Sequence, residues 1–104
     1  MPKSYSIVGT QNYVDERFMM ELKPGTPVLL VREPTNQYDP RAIAVHIDGK
    51  RIGYIPKKQN GVLAQFIDQQ GRTETLAQDS APSRTLPAKF VRSPNSGFPM
   101  VEVE

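Results

Sequence analysis

Pro34-Thr35-Asn36-Gln37-Tyr38-Asp39-Pro40 sets an aromatic ring beside a carboxylate on a segment bounded by two prolines. Pro34 and Pro40 restrict the backbone, and Asn36 and Asp39 can hydrogen-bond their own main chain. A stiff chain reversal would have no need of Tyr38. From residue types alone, the ring either packs beneath the loop or stands out of it. Standing out, it can stack on a nucleobase, while the neighbouring carboxylate accepts from a sugar hydroxyl. A carboxylate repels phosphate, so such a pair would favour an unmodified end.

A second group, Gly53-Tyr54-Ile55-Pro56-Lys57-Lys58, runs from an apolar stretch into a helical pattern. Lys57 and Lys58 would stand at a helix start, where free N–H groups also attract anions. Tyr54 fits either a stacking surface or a core position that shows only its hydroxyl. His46, the only histidine, sits on the expected polar face of a strand, with no cysteine beside it for a metal site. Asp15 and Glu16 suit a helix start rather than acid–base work. The seven glycines are scattered and form no phosphate cradle, and one isolated histidine supports no nucleophilic triad. The expectation is a binding protein, not an enzyme, with no cofactor and no metal.

The elements that must carry these residues are short. Apolar residues predict strands over 4–9, 28–31, 42–47, 51–55, 73–78, 85–92 and 100–103. Asp48-Gly49 is a tight hairpin signal between two of them. Phe18, Met19 and Leu22 suit a short helical turn, and Lys23-Pro24-Gly25-Thr26-Pro27 a break. Residues 57–70 read as a helix, with Val62, Leu63, Phe66 and Ile67 on one face and Gly71 stopping it. Asp79 to Ser83 and Ser93 to Phe98 are turn-rich links. Phe90 suits the core and Phe98 loop packing. Many short strands with one helix predict an α+β, mainly β, closed barrel.

LVREPTNQYDPRAIAV over 30–45, followed by IGYIP over 52–56, resembles the HIRAN domain, most firmly from Gly25 to Asp68. The resemblance implies a small six-stranded OB-like or SH3-like barrel with helices at its side. It also implies a pocket for a single-stranded DNA end. In DNA-binding members the residue matching Tyr38 stacks on the terminal base, and the residue matching Asp39 bonds the free 3′-hydroxyl. Asn36 matches an asparagine of the same loop, and Lys57 a lysine that meets phosphate. Tyr54 stands where such a relative has histidine. Gln11 and Asn12 stand where it has arginine and tyrosine, and Tyr13 keeps a second ring. The site implied is Asn36, Tyr38, Asp39, Tyr54, Lys57, Tyr13 and Lys58. Its partners would be single-stranded DNA or DNA ends, plus a helicase, nuclease or other DNA-processing protein that the domain recruits in repair or at replication forks.

Composition sets the outer limits. The 104 residues fit one domain over 1–104, and 38% hydrophobic residues supply a modest core. Residues 41–72 hold six basic groups against two acidic, whereas the flanking thirds are near balance. The basic middle suits a polyanion. No apolar run reaches a membrane span, no signal-peptide core stands at the N-terminus, and cysteine is absent, which together favour the cytoplasm. The competing reading is a protein-interaction module whose groove takes a peptide or partner domain, in line with the uncharged Gln11 and Asn12.

Overall fold

The computed structural model describes residues 2–76 and 81–104. Its order is β1 (Lys3–Ser6), a 3-10 turn (Thr10–Asn12), α1 (Glu16–Glu21), β2 (Pro27–Arg32), β3 (Ile43–Ile47) and β4 (Lys50–Tyr54). Then come α2 (Lys57–Gln70), β5 (Arg72–Glu74), β6 (Ser83–Arg92) and β7 (Pro99–Val103). The expected strand over 73–78 ends at Glu74, and its residues 77 and 78 lie outside the described residues, as do 79 and 80 of the expected link.

The sheet is antiparallel, in the order β1-β7-β6-β2-β3-β4, with β5 added beside β6. Seven strands are described where the resemblance implied six; the additional one is the three-residue β5. β6 serves two neighbours on one edge, pairing β5 through residues 83–85 and β7 through residues 89–92. Pro87, which has no N–H to give, falls in the gap between them.

The two ends of this sheet meet at one point. Val8, just past β1, exchanges backbone hydrogen bonds with Tyr54, the last residue of β4, at 2.8 and 3.0 Å. That bridge ties the two edges of the curled, half-barrel sheet at one point, and it dictates a glycine. A Cβ at Gly53 would lie 2.7 Å from the Val8 carbonyl oxygen.

The core gathers Leu30, Ile43, Val45, Ile52, Ile67, Phe90 and Val101, all fully buried. α2 covers it with Asn60, Leu63, Ala64 and Ile67. The expected face was partly displaced: Val62 is 76% exposed and Phe66 42%. Small Ala64 and hydrogen-bonded Asn60 occupy the inward positions, so the helix is rotated from the purely apolar choice. α1 is held at both ends. Asp15 Oδ1 accepts from the Phe18 N–H at 2.8 Å, and Arg92 of β6 donates to the carbonyls of Met19 and Leu22 at 2.6 and 3.1 Å.

Two further expectations are corrected. His46 is buried, because β3 is central and sheet neighbours Leu29 and Arg51 flank it. Phe98 is 69% exposed rather than packed into its loop. Among the described residues no helix is long and apolar enough to cross a membrane.

Candidate nucleic-acid interface

The connection from β2 to β3 is fixed from inside. The Glu33 N–H donates to the Ala42 carbonyl, and the Ala42 N–H to the Asp39 carbonyl, each at 3.0 Å. The Asn36 side-chain oxygen accepts from the backbone N–H groups of Tyr38 and Asp39 at 2.8 and 3.1 Å, while its Nδ2 donates to Glu33 Oε1 at 3.1 Å. Asp39 Oδ1 accepts from the Arg41 N–H at 2.9 Å. Each bond replaces a turn that backbone alone would have to hold. Asn36 therefore shapes the loop, and its oxygen has both positions filled.

Arg32 anchors the whole connection to the barrel. Its guanidinium is 7% exposed, grips Asp68 of α2 at 2.9 and 3.2 Å, and donates to the carbonyls of Ala42 and Pro40 at 2.9 and 3.2 Å. A planar fork with five donors suits this four-way junction, where an ammonium would not.

The result is a presented ring. Tyr38 is 91% exposed, which decides between the two readings of the loop. Its backbone N–H is bound to Asn36, which fixes the point from which the ring is presented. Next to it, Asp39 Oδ2 accepts from Asn60 Nδ2 of α2 at 2.8 Å, and Asn60 is only 2% exposed. The Arg41 N–H, then Asn60, with Lys57 and Arg41 charge behind them, hold the Asp39 carboxyl below its ordinary value. A carboxylate offers about four lone-pair positions, and two are used here, so it remains an acceptor toward solvent.

Tyr54 closes the other wall. Its hydroxyl donates to Glu33 Oε1 at 2.7 Å, and burial followed by the bond and charge of Glu33 push it well above the ordinary phenol value. The ring, not the hydroxyl, is what Tyr54 offers. It lies 5.9 Å from the Tyr13 ring at a 52° tilt, a geometry that forms a shallow aromatic wall.

Tyr13, Asn36, Tyr38, Asp39, Tyr54 and Lys57 line one groove of about 390 Å³, with Val8 and Asn60. Six residues singled out from the sequence are thus brought together. Lys58, one place further along α2, is exposed and does not line it. Sequence reasoning missed Arg32, Glu33, Arg51 and Asn60. Asn60 carried a usable signal, since it shares helical spacing with Leu63, Ala64 and Ile67 and is polar. Arg51 carried none. It reaches the face of Tyr54 only because the β3–β4 register shifts between Val45 and His46.

Two solved structures share this fold. A crystal structure of a protein from Lactobacillus plantarum superposes with a TM-score of 0.68 at 26% identity, covering 95% of this chain and 86% of that one. The crystal structure of the HIRAN domain of human HLTF superposes with a TM-score of 0.66 at 21% identity, covering 97% and 71%. The latter likeness concerns fold. No curated protein matches the sequence. The sequence model of the HIRAN domain matches residues 4–89, which take in every strand up to most of β6, both helices and the groove, and the chain therefore belongs to the HIRAN domain family.

Proposed function

We propose that this protein is a DNA-binding module that receives the free 3′ end of a single strand in the groove of Tyr38, and that it serves DNA repair or replication-fork processing. Membership of the HIRAN family supports DNA binding. The observation that carries the finer reading is the pairing of a presented ring with a fixed acceptor: Tyr38, 91% exposed, beside an Asp39 carboxylate held by Arg41 and Asn60. The terminal base stacks on Tyr38 and faces the Tyr54–Tyr13 wall. The 3′-hydroxyl donates to Asp39. Lys57 and the first free N–H groups of α2 meet the phosphate. None of these roles makes or breaks a covalent bond, so the reading is one of binding and positioning.

The test is discrimination between ends. An oligonucleotide with a 3′-hydroxyl should bind more tightly than the same strand with a 3′-phosphate. The phosphate loses a hydrogen bond to a charged acceptor, worth about 1.5–3 kcal/mol, and adds repulsion between anions. Asp39→Asn is the suitable variant. It keeps an acceptor for the Arg41 N–H, and a flipped Asn60 amide can still pair with it. It should shrink the preference, whereas Tyr38→Ala should weaken both strands alike. Fluorescence anisotropy reads both effects. Equal affinity of the unmodified protein for the two ends would overturn end recognition. Weak binding indifferent to salt would favour a peptide or partner domain in this groove.

A further inference from the structure

Arg51 stands where two grooves meet. Its guanidinium carbon is 5.8 Å from the centre of the Tyr54 ring and 5.9 Å from that of Tyr13, the two rings walling the Tyr38 groove. On its other side, Arg51 lines a second groove of about 450 Å³ together with Glu33, Pro34, Thr35, Asn36 and Ser83. Asn36 borders both. Asn36, on the β2–β3 connection, thus stands on the ridge between them.

The arginine is held but not consumed. Its side chain is 43% exposed, and Nη2 pairs with Glu33 Oε2 at 2.9 Å. A guanidinium has five donors, and this ion pair occupies one side of the fork. Glu33 already accepts from Tyr54 and Asn36 through its other oxygen, so the carboxylate is fixed and holds Arg51 in place. A cation held over two ring faces with an open flank suits an anion that arrives along the rings. The hydroxyl-bearing residues Thr35 and Ser83 border the groove beyond it.

We infer that Arg51 is the phosphate-binding residue of a second subsite. The strand whose end occupies the Tyr38 groove crosses the ridge at Asn36, and an internal phosphate meets Arg51 at the mouth of the second groove. The inference rests on the proposed single-strand reading and extends it from one nucleotide to a track. Glu33 acts on the same phosphate through Arg51, as a positioning residue: its charge orients the guanidinium and also competes with the ligand.

The experiment is a salt titration with a short oligothymidylate bearing a 3′-hydroxyl, read by fluorescence anisotropy, beside a thymidine dinucleotide read by competition. Arg51→Gln should lower affinity for the oligomer about tenfold, the size of one charge-assisted hydrogen bond. It should also reduce the slope of log K against log salt by about 0.7, the value for one single-strand phosphate. The dinucleotide should bind both proteins alike. Arg51→Lys should keep the slope, because it keeps the charge. An unchanged slope in Arg51→Gln overturns the subsite and leaves the end pocket standing. Loss of slope in both Arg51 variants also overturns it, marking Arg51 as a support for the rings. Absence of single-strand binding by the unmodified protein overturns the pocket and the subsite together.

Discussion

Two connections flank β3, and they are built on opposite principles. The β3–β4 turn reverses the chain at Asp48 and Gly49, with positive φ of 52° and 77°. Residues 33–42 make the same kind of reversal between β2 and β3, yet they draw on Asn36, Asp39, the buried guanidinium of Arg32 and the buried amide of Asn60. A two-residue turn needs only backbone conformation. A long connection costs more ordering entropy, so side chains must hold it if it is to have one shape. Here that shape leaves a large aromatic ring in water, which folding alone would not favour. The difference teaches where to look for function: in the reversal that is longer and more heavily braced than geometry demands.

The comparison breaks most visibly at Arg32. Arg32→Ala strips the long connection of its tie to Asp68, removes the side-chain donor to the Pro40 carbonyl and leaves the Ala42 carbonyl with the Glu33 N–H alone. The expected loss is about 3 kcal/mol of unfolding free energy in urea. A loss under about 1 kcal/mol would mean that the loop's own side-chain bonds suffice. Tyr38→Ala should behave in the opposite way. Single-strand affinity should fall by about 1–3 kcal/mol while the thermal midpoint stays unchanged, because the ring is 91% exposed.

At the short turn, Gly49→Ala should cost about 1 kcal/mol of stability and leave DNA binding unchanged. A binding defect there would show the two connections to be coupled. On the helix that braces the long one, Gly61→Ala should stabilise by about 0.5–1 kcal/mol. Its Cβ would meet only Arg41 Nη1, at 3.7 Å, an ordinary contact.

The smallest effect is one of pH. Asp39 has its carboxyl below the ordinary value of 3.8, so its contribution to stability is complete above 3.8 and disappears as pH falls through the lower folded value. The difference in thermal midpoint between the unmodified protein and Asp39→Asn should therefore be constant from neutral pH down to that region and shrink below it. A difference that shrinks well above it would mean that Asp39 is not held by these donors.

Much of this was legible along the chain. Residues 57–70 gave the bounds of α2, because apolar spacing and a stopping glycine are local signals. The Asp48-Gly49 turn and the strands at 28–31 and 42–47 were legible for the same reason. Gly71 has a reason that sequence cannot give: a Cβ there would lie 2.6 Å from the Thr85 carbonyl oxygen of β6. The burial of Asn60 was legible only in part: its helical spacing with Leu63, Ala64 and Ile67 lies along the chain, but its partner Asp39 stands 21 residues away.

The sequence by itself determined which side chains are available to the groove: a ring and a carboxylate adjacent on a stiff loop, a lysine at a helix start, tyrosines at 13 and 54. Those are matters of covalent order and local propensity. Only the tertiary structure decided how they face. Strict alternation along a strand would put Arg51 and Tyr54 on opposite faces. The register shift between Val45 and His46 sets Arg51 opposite His46 and Tyr54 opposite Ala44, and so brings both to one face. The same holds for Tyr38, whose exposure follows from bonds that fix its neighbours.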